Sequence, residues 1–251
     1  MTQSSVLVVI PTYNELINIE LLITRIMNSF RELDFLFIDD SSPDGTALLI
    51  EKAKQENPRI NLIVRPEKLG VASAFIQGLN FALENSYNWV ACMDADHSHR
   101  LEDLDEMLGH LYIDSRNIDL LIGSRYVSGG KVLEIPWGRQ LMSKLGNAFS
   151  RFCLGTNIRD TTGGFRVYRV DALRGINLSN LSTHGYGFQL QLLRRFQVLK
   201  LKIFEFPIEF NPRFSGKSKL RMEIVVEVFV VCLVIYFKRK FDLIKVTNSK
   251  F

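Results

Sequence analysis

Five short apolar runs, separated by helix-length stretches, dominate the first half of this 251-residue chain. The runs are Val6–Ile10, Phe35–Ile38, Leu62–Val64, Trp89–Met93 and Leu120–Ile122. Between them, Asn18–Phe30, Thr46–Asn57, Val71–Asn85 and Leu101–Ser115 carry helical patterning. Strands that are apolar throughout, alternating with helices, demand a mainly parallel sheet covered on both faces. The spacing therefore predicts an open α/β fold of the nucleotide-binding kind. An apolar fraction of 47% and a charged fraction of 23% exclude a disordered chain.

After Arg125 the pattern changes. A glycine-bearing loop, Tyr126–Gly138, leads to a helix expected over Arg139–Leu154. A turn at Asp160–Gly164 and a strand at Phe165–Arg169 follow, then a helix around Phe188–Leu199 and a strand at Lys202–Phe210. The basic loop Asn211–Lys219 leads to a C-terminal helix. Its apolar run, Ile224–Phe237, holds 14 residues broken once by Glu227. At ~1.5 Å per residue it spans about 21 Å, short of the ~30 Å of a bilayer core. With Lys238, Arg239 and Lys240 directly behind it, such a helix either lies at a membrane surface or packs on its own domain or a partner.

Charge is unevenly placed. Residues 1–200 hold 21 Lys/Arg against 22 Asp/Glu, and residues 201–251 hold 10 against 5. The net +4 thus belongs to the C-terminal fifth and points to a polyanionic or membrane partner. Nucleic acid is not the expected one, because the basic residues are not interleaved with stacking aromatics on a recognisable module. Cys92, Cys153 and Cys232 lie far apart in apolar contexts, so buried free thiols in a reducing, cytoplasmic setting are expected. The start, MTQSSVLVVIPTYNE, carries no signal-peptide pattern.

Ligands of open parallel sheets bind at the carboxyl ends of the strands. Three such ends are polar here. The first reads Pro11-Thr12-Tyr13-Asn14-Glu15, where Tyr13 offers a flat face and Glu15 an acceptor. The second reads Asp39-Asp40-Ser41-Ser42-Pro43-Asp44-Gly45-Thr46. Adjacent acids there need a ligand or internal donors, since an unpaired buried charge is costly; Asp44 or Thr46 is expected to cap the next helix. The fourth reads Asp94-Ala95-Asp96. A spacing of two puts both carboxylates on one side of an extended segment, and such a pair calls for a cation. Hard oxygen donors suit Mg²⁺ or Mn²⁺ bridging to substrate phosphates. His97 and His99 follow as ligands or as hydrogen-bonding groups. Arg125 closes the fifth strand, Arg139 follows Pro136-Trp137-Gly138, and Arg213, Lys217 and Lys219 lie in PRFSGKSK. Cations so placed position phosphates.

VVIPTYNE, IDDSSPDGT, KLGVASAFIQGL, MDADHSH, GSRY, DTTGGFRVYR, GYGFQ and RFSGKSK occur here in that order. Together they resemble the dolichol-phosphate and polyprenol-phosphate mannosyltransferases of glycosyltransferase family two, over roughly residues 5–221. The resemblance implies a GT-A fold over residues 1–221, with residues 222–251 forming an interfacial or partner-binding helix and basic tail. It implies inverting transfer of mannose from GDP-mannose to a polyprenyl monophosphate, with Mg²⁺ or Mn²⁺. By match of motif, Pro11, Tyr13, Glu15, Ile38 and Asp40 hold the nucleoside. Asp94 and Asp96 hold the metal and diphosphate, with Met93 and Ala95 lining the site by backbone. Ser98 stands where many members carry a glutamine that acts as a third metal ligand, and it joins the metal set by that match. Arg125, Arg213 and Lys219 meet the donor or acceptor phosphates, and Arg139 matches an arginine near the acceptor. With one short apolar helix where many bacterial members have two or more membrane spans, the chain is expected at the cytoplasmic face, peripheral, with a small membrane-anchoring subunit as a further partner.

A phosphate monoester acceptor is already a dianion near neutral pH, so the chemistry needs no catalytic base. A UDP-glucose-dependent polyprenyl-phosphate transferase and a non-catalytic GT-A subunit are the alternatives. A processive polysaccharide synthase is excluded, since Gln191-Leu192-Leu193-Arg194-Arg195 lacks the tryptophan of QxxRW.

Overall fold

The computed structural model describes residues 6–29, 32–114, 118–134, 136–181, 185, 187–215 and 222–248, without the side chains at 29, 114, 139, 222–224 and 242–248. Strands β1 (Val6–Thr12), β2 (Asp34–Asp39), β3 (Ile60–Val64), β4 (Trp89–Cys92) and β5 (Leu120–Ser124) alternate with helices α1 (Leu16–Ser29), α2 (Thr46–Glu56), α3 (Val71–Glu84) and α4 (Leu101–Asp114). The alternation read from the sequence is the alternation observed. With β7 (Arg166–Arg169) and β8 (Ile203–Pro207) from the second half, they form a seven-stranded sheet in the order β3-β2-β1-β4-β7-β5-β8.

Period-two alternation explains why strands apolar at every position are needed. Val6, Val8 and Ile10 of β1 join Phe35 and Phe37 under α1, α2 and α4. Leu7 and Val9 point the other way, with Leu36 and Ile38, under α3, α7 (Gly187–Val198) and α8 (Met222–Asn248). Gly78 of α3 sits so close to β1 that an added Cβ would collide with the Val9 side chain.

The second half departs from simple winding. Strand β7 (Arg166–Arg169) enters between β4 and β5 antiparallel to both, with Cys92 opposite Arg166 and Leu120 opposite Tyr168. Its amino end therefore lies at the carboxyl edge of its neighbours. The expected strand Lys202–Phe210 is two pieces, β8 (Ile203–Pro207) and β9 (Glu209–Phe210). Pro207 has no N–H for a ladder, and at the next residue the Ile208 N–H turns to the Ser124 carbonyl, 3.1 Å away. Within the expected loop 126–138, β6 (Lys131–Val132) pairs in parallel with β9 at the same edge. Helix α5 (Trp137–Leu154) follows, and α6 (Val170–Leu173) continues from β7.

Helix α8 is longer than its apolar core, yet no helix among the described residues is long and apolar enough to cross a membrane. It packs along α5 and α7 through buried Cys232 and Ile235, with Phe229 stacked on Phe149 at 4.9 Å and Tyr236 on Phe152 at 5.5 Å. Glu227, the one break in the run, fills the space beside Gly185 and Gly187 at the start of α7, where a helix favours negative charge. Arg239 fills the space at Gly155, which ends α5 with φ +63°, where a helix favours positive charge. The basic triplet is therefore not one patch: Lys238 and Lys240 are exposed, while Arg239 turns inward.

Candidate active site

The strand ends β1, β2 and β4 each turn through a left-handed residue: Asn14 at φ 55°, Ser41 at 55° and His97 at 61°. Such turns cost energy outside glycine and gather at functional edges. In the second turn both acids are buried and held by partners within the chain. Asp39 accepts from the Thr12 hydroxyl at 2.8 Å and from the Ser42 N–H at 2.8 Å. Asp40 pairs with Arg65 and accepts from the Gly70 N–H at 2.9 Å. Asp44 accepts from the Thr46 N–H and hydroxyl and from the Leu16 N–H, so it ties the first turn of α1 to α2. Burial works against ionisation there, but those hydrogen bonds hold its carboxyl below the usual range. Pro11 sits opposite Ile38 at the end of the β1–β2 ladder. The face of Tyr13 is covered by the Lys68 ammonium, 3.8 Å from the ring centre. Glu15 heads α1, its N–H given to the Thr46 hydroxyl at 3.1 Å.

Across the crevice, β4 runs into Met93, Asp94, Ala95 and Asp96. One oxygen of Asp96 accepts from the Ser98 N–H at 3.1 Å, and the other meets Arg213 Nε at 2.8 Å. Ser98 is buried, and its recorded bond to Asp96 runs through its backbone. His99 is buried against Phe165, 4.8 Å between ring centres, and its Nδ1 accepts from the Asp94 N–H at 3.1 Å. Burial pushes the imidazole down to about 4, against the pull of Asp96. His99 is thus neutral with its proton on Nε2, and it braces the acidic segment from behind. His97 instead turns to the Asn18 carbonyl, 2.9 Å from Nε2.

The antiparallel β7 delivers the 160–164 turn to this edge. Asp160 is fully buried and takes Arg125 in a fork, Nε at 2.7 Å and Nη2 at 2.7 Å, plus the Arg125 N–H at 3.1 Å. Burial raises the Asp160 pKa, but the Arg125 guanidinium and these hydrogen bonds outweigh it and hold the group below the usual carboxylate range. Arg166, also fully buried, caps the turn by donating to the carbonyls of Thr161, Gly163 and Gln189. Asn147 on α5 accepts from the N–H and hydroxyl of Thr161, 2.9 Å each. A Cβ on Gly164 would sit 3.6 Å from His99 and 3.9 Å from Asp94 Oδ2, so the turn lies alongside the acidic segment.

Asp94, Asp96, Arg125 and Arg213, placed apart in sequence, therefore share one edge; His99 feels Asp96, Arg125 and Arg213 together. An open cavity of about 440 Å³, lined by His97, Glu134, Asn211 and Arg213 among others, lies beside the Arg213 loop. Arg139 lies on α5, but its side chain is outside the described residues, as are Lys217 and Lys219 entirely. Sequence reasoning gave no role to Asp160, Asn147, Arg166, Arg65 or Lys68; the paired glycines of DTTGG were the local signal for the first of these.

Among the described residues no group of three or more His, Cys, Asp or Glu could hold a metal ion. Two carboxylates nonetheless suit Mg²⁺ or Mn²⁺, which keep waters and take substrate phosphate oxygens as further ligands. Asp96 already holds one cation, a guanidinium, so its donor set accepts positive charge.

A family model described as "Glycosyl transferase family 2" matches residues 7–176. An undecaprenyl-phosphate mannosyltransferase of Micrococcus luteus is 40% identical over 225 residues, 90% of this chain and 91% of that protein. A polyprenol monophosphomannose synthase of Mycolicibacterium smegmatis is 40% identical over 215 residues, 85% of this chain and 80% of that protein. Among solved structures, glucosyl-3-phosphoglycerate synthase of Mycobacterium tuberculosis, in complex with Mn²⁺, UDP and glucosyl-3-phosphoglycerate, aligns with a TM-score of 0.61 at 19% identity, over 90% of this chain and 79% of that one. The mannosyltransferase PcManGT of Pyrobaculum calidifontis, in complex with GDP-Man and Mn²⁺, aligns at 0.56 and 18% identity, over 87% of this chain and 59% of that one.

Proposed function

This chain belongs to glycosyltransferase family 2, and on that premise we propose that it moves mannose from GDP-mannose to a polyprenyl monophosphate with inversion at the sugar. The observation that carries the reading is 40% identity, over nine-tenths of both chains, to an undecaprenyl-phosphate mannosyltransferase. The geometry agrees in chemical kind: two carboxylates share a sheet edge with two arginines, one of them on Asp96 and the other on Asp160.

The acceptor phosphate has a second pKa of about 6, so it attacks as a dianion and needs no base. His99, neutral and engaged with Asp94, accordingly braces the site and removes no proton. Asp94 and Asp96 would hold a divalent cation, Mg²⁺ or Mn²⁺, which when bound stabilises the charge of the departing diphosphate. Arg125, fixed by Asp160, presents an oriented cation, and Arg213 offers a second from the facing loop. The nucleoside is assigned to Pro11, Tyr13, Glu15, Ile38 and Asp40, with Lys68 moving off the Tyr13 ring to admit a base. Ser98 is assigned as a third metal ligand, Lys219 to the donor or acceptor phosphates, and Arg139 to the acceptor, by motif. A donor panel of GDP-mannose, UDP-glucose and UDP-GlcNAc with radiolabelled lipid product tests the reading. Mannolipid from GDP-mannose alone is the expected result; glucolipid from UDP-glucose would overturn the donor.

A lipid acceptor brings the chain to a membrane, and α5 and α8 offer the face. Leu141, Leu145 and Phe152 of α5 are 46%, 56% and 64% exposed at helical spacing, beside exposed Phe229, Val230, Phe237 and Phe241 of α8. The inner face of the same α5 holds the 161–162 turn through Asn147, so the membrane side and the site share one helix. We place this face on the cytoplasmic leaflet, in keeping with the free thiols of Cys92, Cys153 and Cys232. Each large apolar side chain moved from water contributes about 1.5–3 kcal/mol when fully buried. Leu141→Glu with Leu145→Glu should therefore cut sedimentation with anionic vesicles by about tenfold or more and leave the melting temperature in place. Unchanged sedimentation would remove α5 from the interface.

A further inference from the structure

Arg213 stands where a cation is wanted, on a loop tied to the acidic segment itself. Its Nε lies 2.8 Å from one oxygen of Asp96, whose other oxygen accepts from Ser98. The loop is held independently of that guanidinium. The Asn211 N–H donates to the Ser98 carbonyl and the Phe214 N–H to the Asp96 carbonyl, each at 3.1 Å. Phe214 also meets His97 edge-on at 5.8 Å between ring centres.

The Asp96 side chain is 5% exposed and that of Arg213 24%. A carboxylate so deeply placed is costly without a counter-charge, which the guanidinium supplies. A divalent ion on Asp96 would sit against the same oxygens. Two cations on one carboxylate repel, so a divalent ion there weakens the hold on the guanidinium. The side chain can leave without the loop, because the backbone bonds of Asn211 and Phe214 do not depend on it. The cavity beside it, about 440 Å³ and open, gives it room.

We propose that Arg213 is a resident counter-cation of Asp96, that divalent metal displaces it, and that the displaced guanidinium then binds the acceptor phosphate. The first half concerns Asp96 and a cation alone; the second rests on the polyprenyl-phosphate reading above. The consequence is an order of events: metal enters before acceptor. Until the metal arrives, the arginine that would hold the acceptor is spent on Asp96, so a lipid phosphate is not captured by a site without its cation.

The test is Mn²⁺ binding to the full chain without any donor, followed by the paramagnetic signal of free Mn²⁺. Arg213→Met should bind Mn²⁺ about tenfold more tightly than wild type, the scale of one charged hydrogen bond removed from competition. Arg213→Lys should stay near wild type, and Asp96→Asn should bind weakest. Arg213→Gln, a second neutral variant, gives the same comparison should Arg213→Met melt below wild type. A second measurement uses farnesyl phosphate as a soluble probe in the presence of GDP. Wild type should bind it only when Mn²⁺ is present, and Arg213→Met should bind it weakly with or without metal. Unchanged or weaker Mn²⁺ affinity in the folded neutral variants overturns the counter-cation role. Farnesyl phosphate binding that ignores Mn²⁺ overturns the order of events. Should the Mn²⁺ comparison come out as expected while no mannolipid forms from any donor, the mannosyl reading fails and the counter-cation role stands.

Discussion

Asp96→Asn is expected to form mannolipid at least about a thousandfold more slowly than the parent chain, with an unfolding midpoint close to it. A metal ion contributes several kcal/mol of charge stabilisation to a departing phosphate, and about 4 kcal/mol corresponds to three decades in rate. The substitution keeps the acceptor oxygen that the Ser98 N–H uses at 3.1 Å, so the turn survives. What disappears is the charge. Radiolabelled product at saturating GDP-mannose, beside a thermal melt, separates the two effects. Near-parental turnover in a folded Asp96→Asn protein would remove Asp94 and Asp96 from the metal role.

The second large effect belongs to Asp160, which touches no substrate in this reading. Asp160→Ala leaves Arg125, 15% exposed, facing a hole in place of a carboxylate. Breaking one side of a buried pair costs about 3–5 kcal/mol, or on the order of 10 °C in melting temperature at this chain length. The freed guanidinium also loses its direction, and a misplacement of about 1 Å costs on the order of a hundredfold in rate. Asp160→Asn keeps an acceptor for the fork and should lose less of both. The pH dependence has a definite sign. The folded Asp160 pKa lies below the unfolded one, so its contribution is complete above the ordinary carboxylate range of about 4 and fades as pH falls through the lower, folded value. The melting temperature of Asp160→Asn should accordingly fall less steeply than the parent's on acidification. Parallel acid limbs would show that the pair is not what titrates.

Reading strand ends found Asp94 and Asp96 because a carboxylate at the end of an apolar strand has few places to go. The same rule was silent on Asp160. Its partner Arg125 is 35 positions away, and the two meet only because β7 runs against its neighbours. A four-residue strand such as RVYR carries no mark of its direction. Asp40 was legible as needing a partner, but Arg65 was not legible as that partner, since the pairing crosses from the end of β2 to the end of β3. The basic triplet misled for a different reason. Successive residues on a helix point about 100° apart, so Arg239 seals the end of α5 while Lys238 and Lys240 stay in water. The helices and the parallel half of the sheet were legible because their periodicities are local; the arginine–acid contacts were not, because topology makes them.

The reversed strand β7 has a consequence for how the chain is made. During synthesis the amino-terminal strands can assemble as β3-β2-β1-β4 once residue 92 has left the ribosome. Strand β4 is then an open margin, and the strand that closes it ends at Arg169. For those 77 residues of elongation the middle of the future sheet is an unpaired, wholly apolar edge, WVAC, of the sort that recruits other chains. A nascent chain stalled near residue 125 would therefore be the most aggregation-prone form of this protein, and β7 is the latch that ends the exposure.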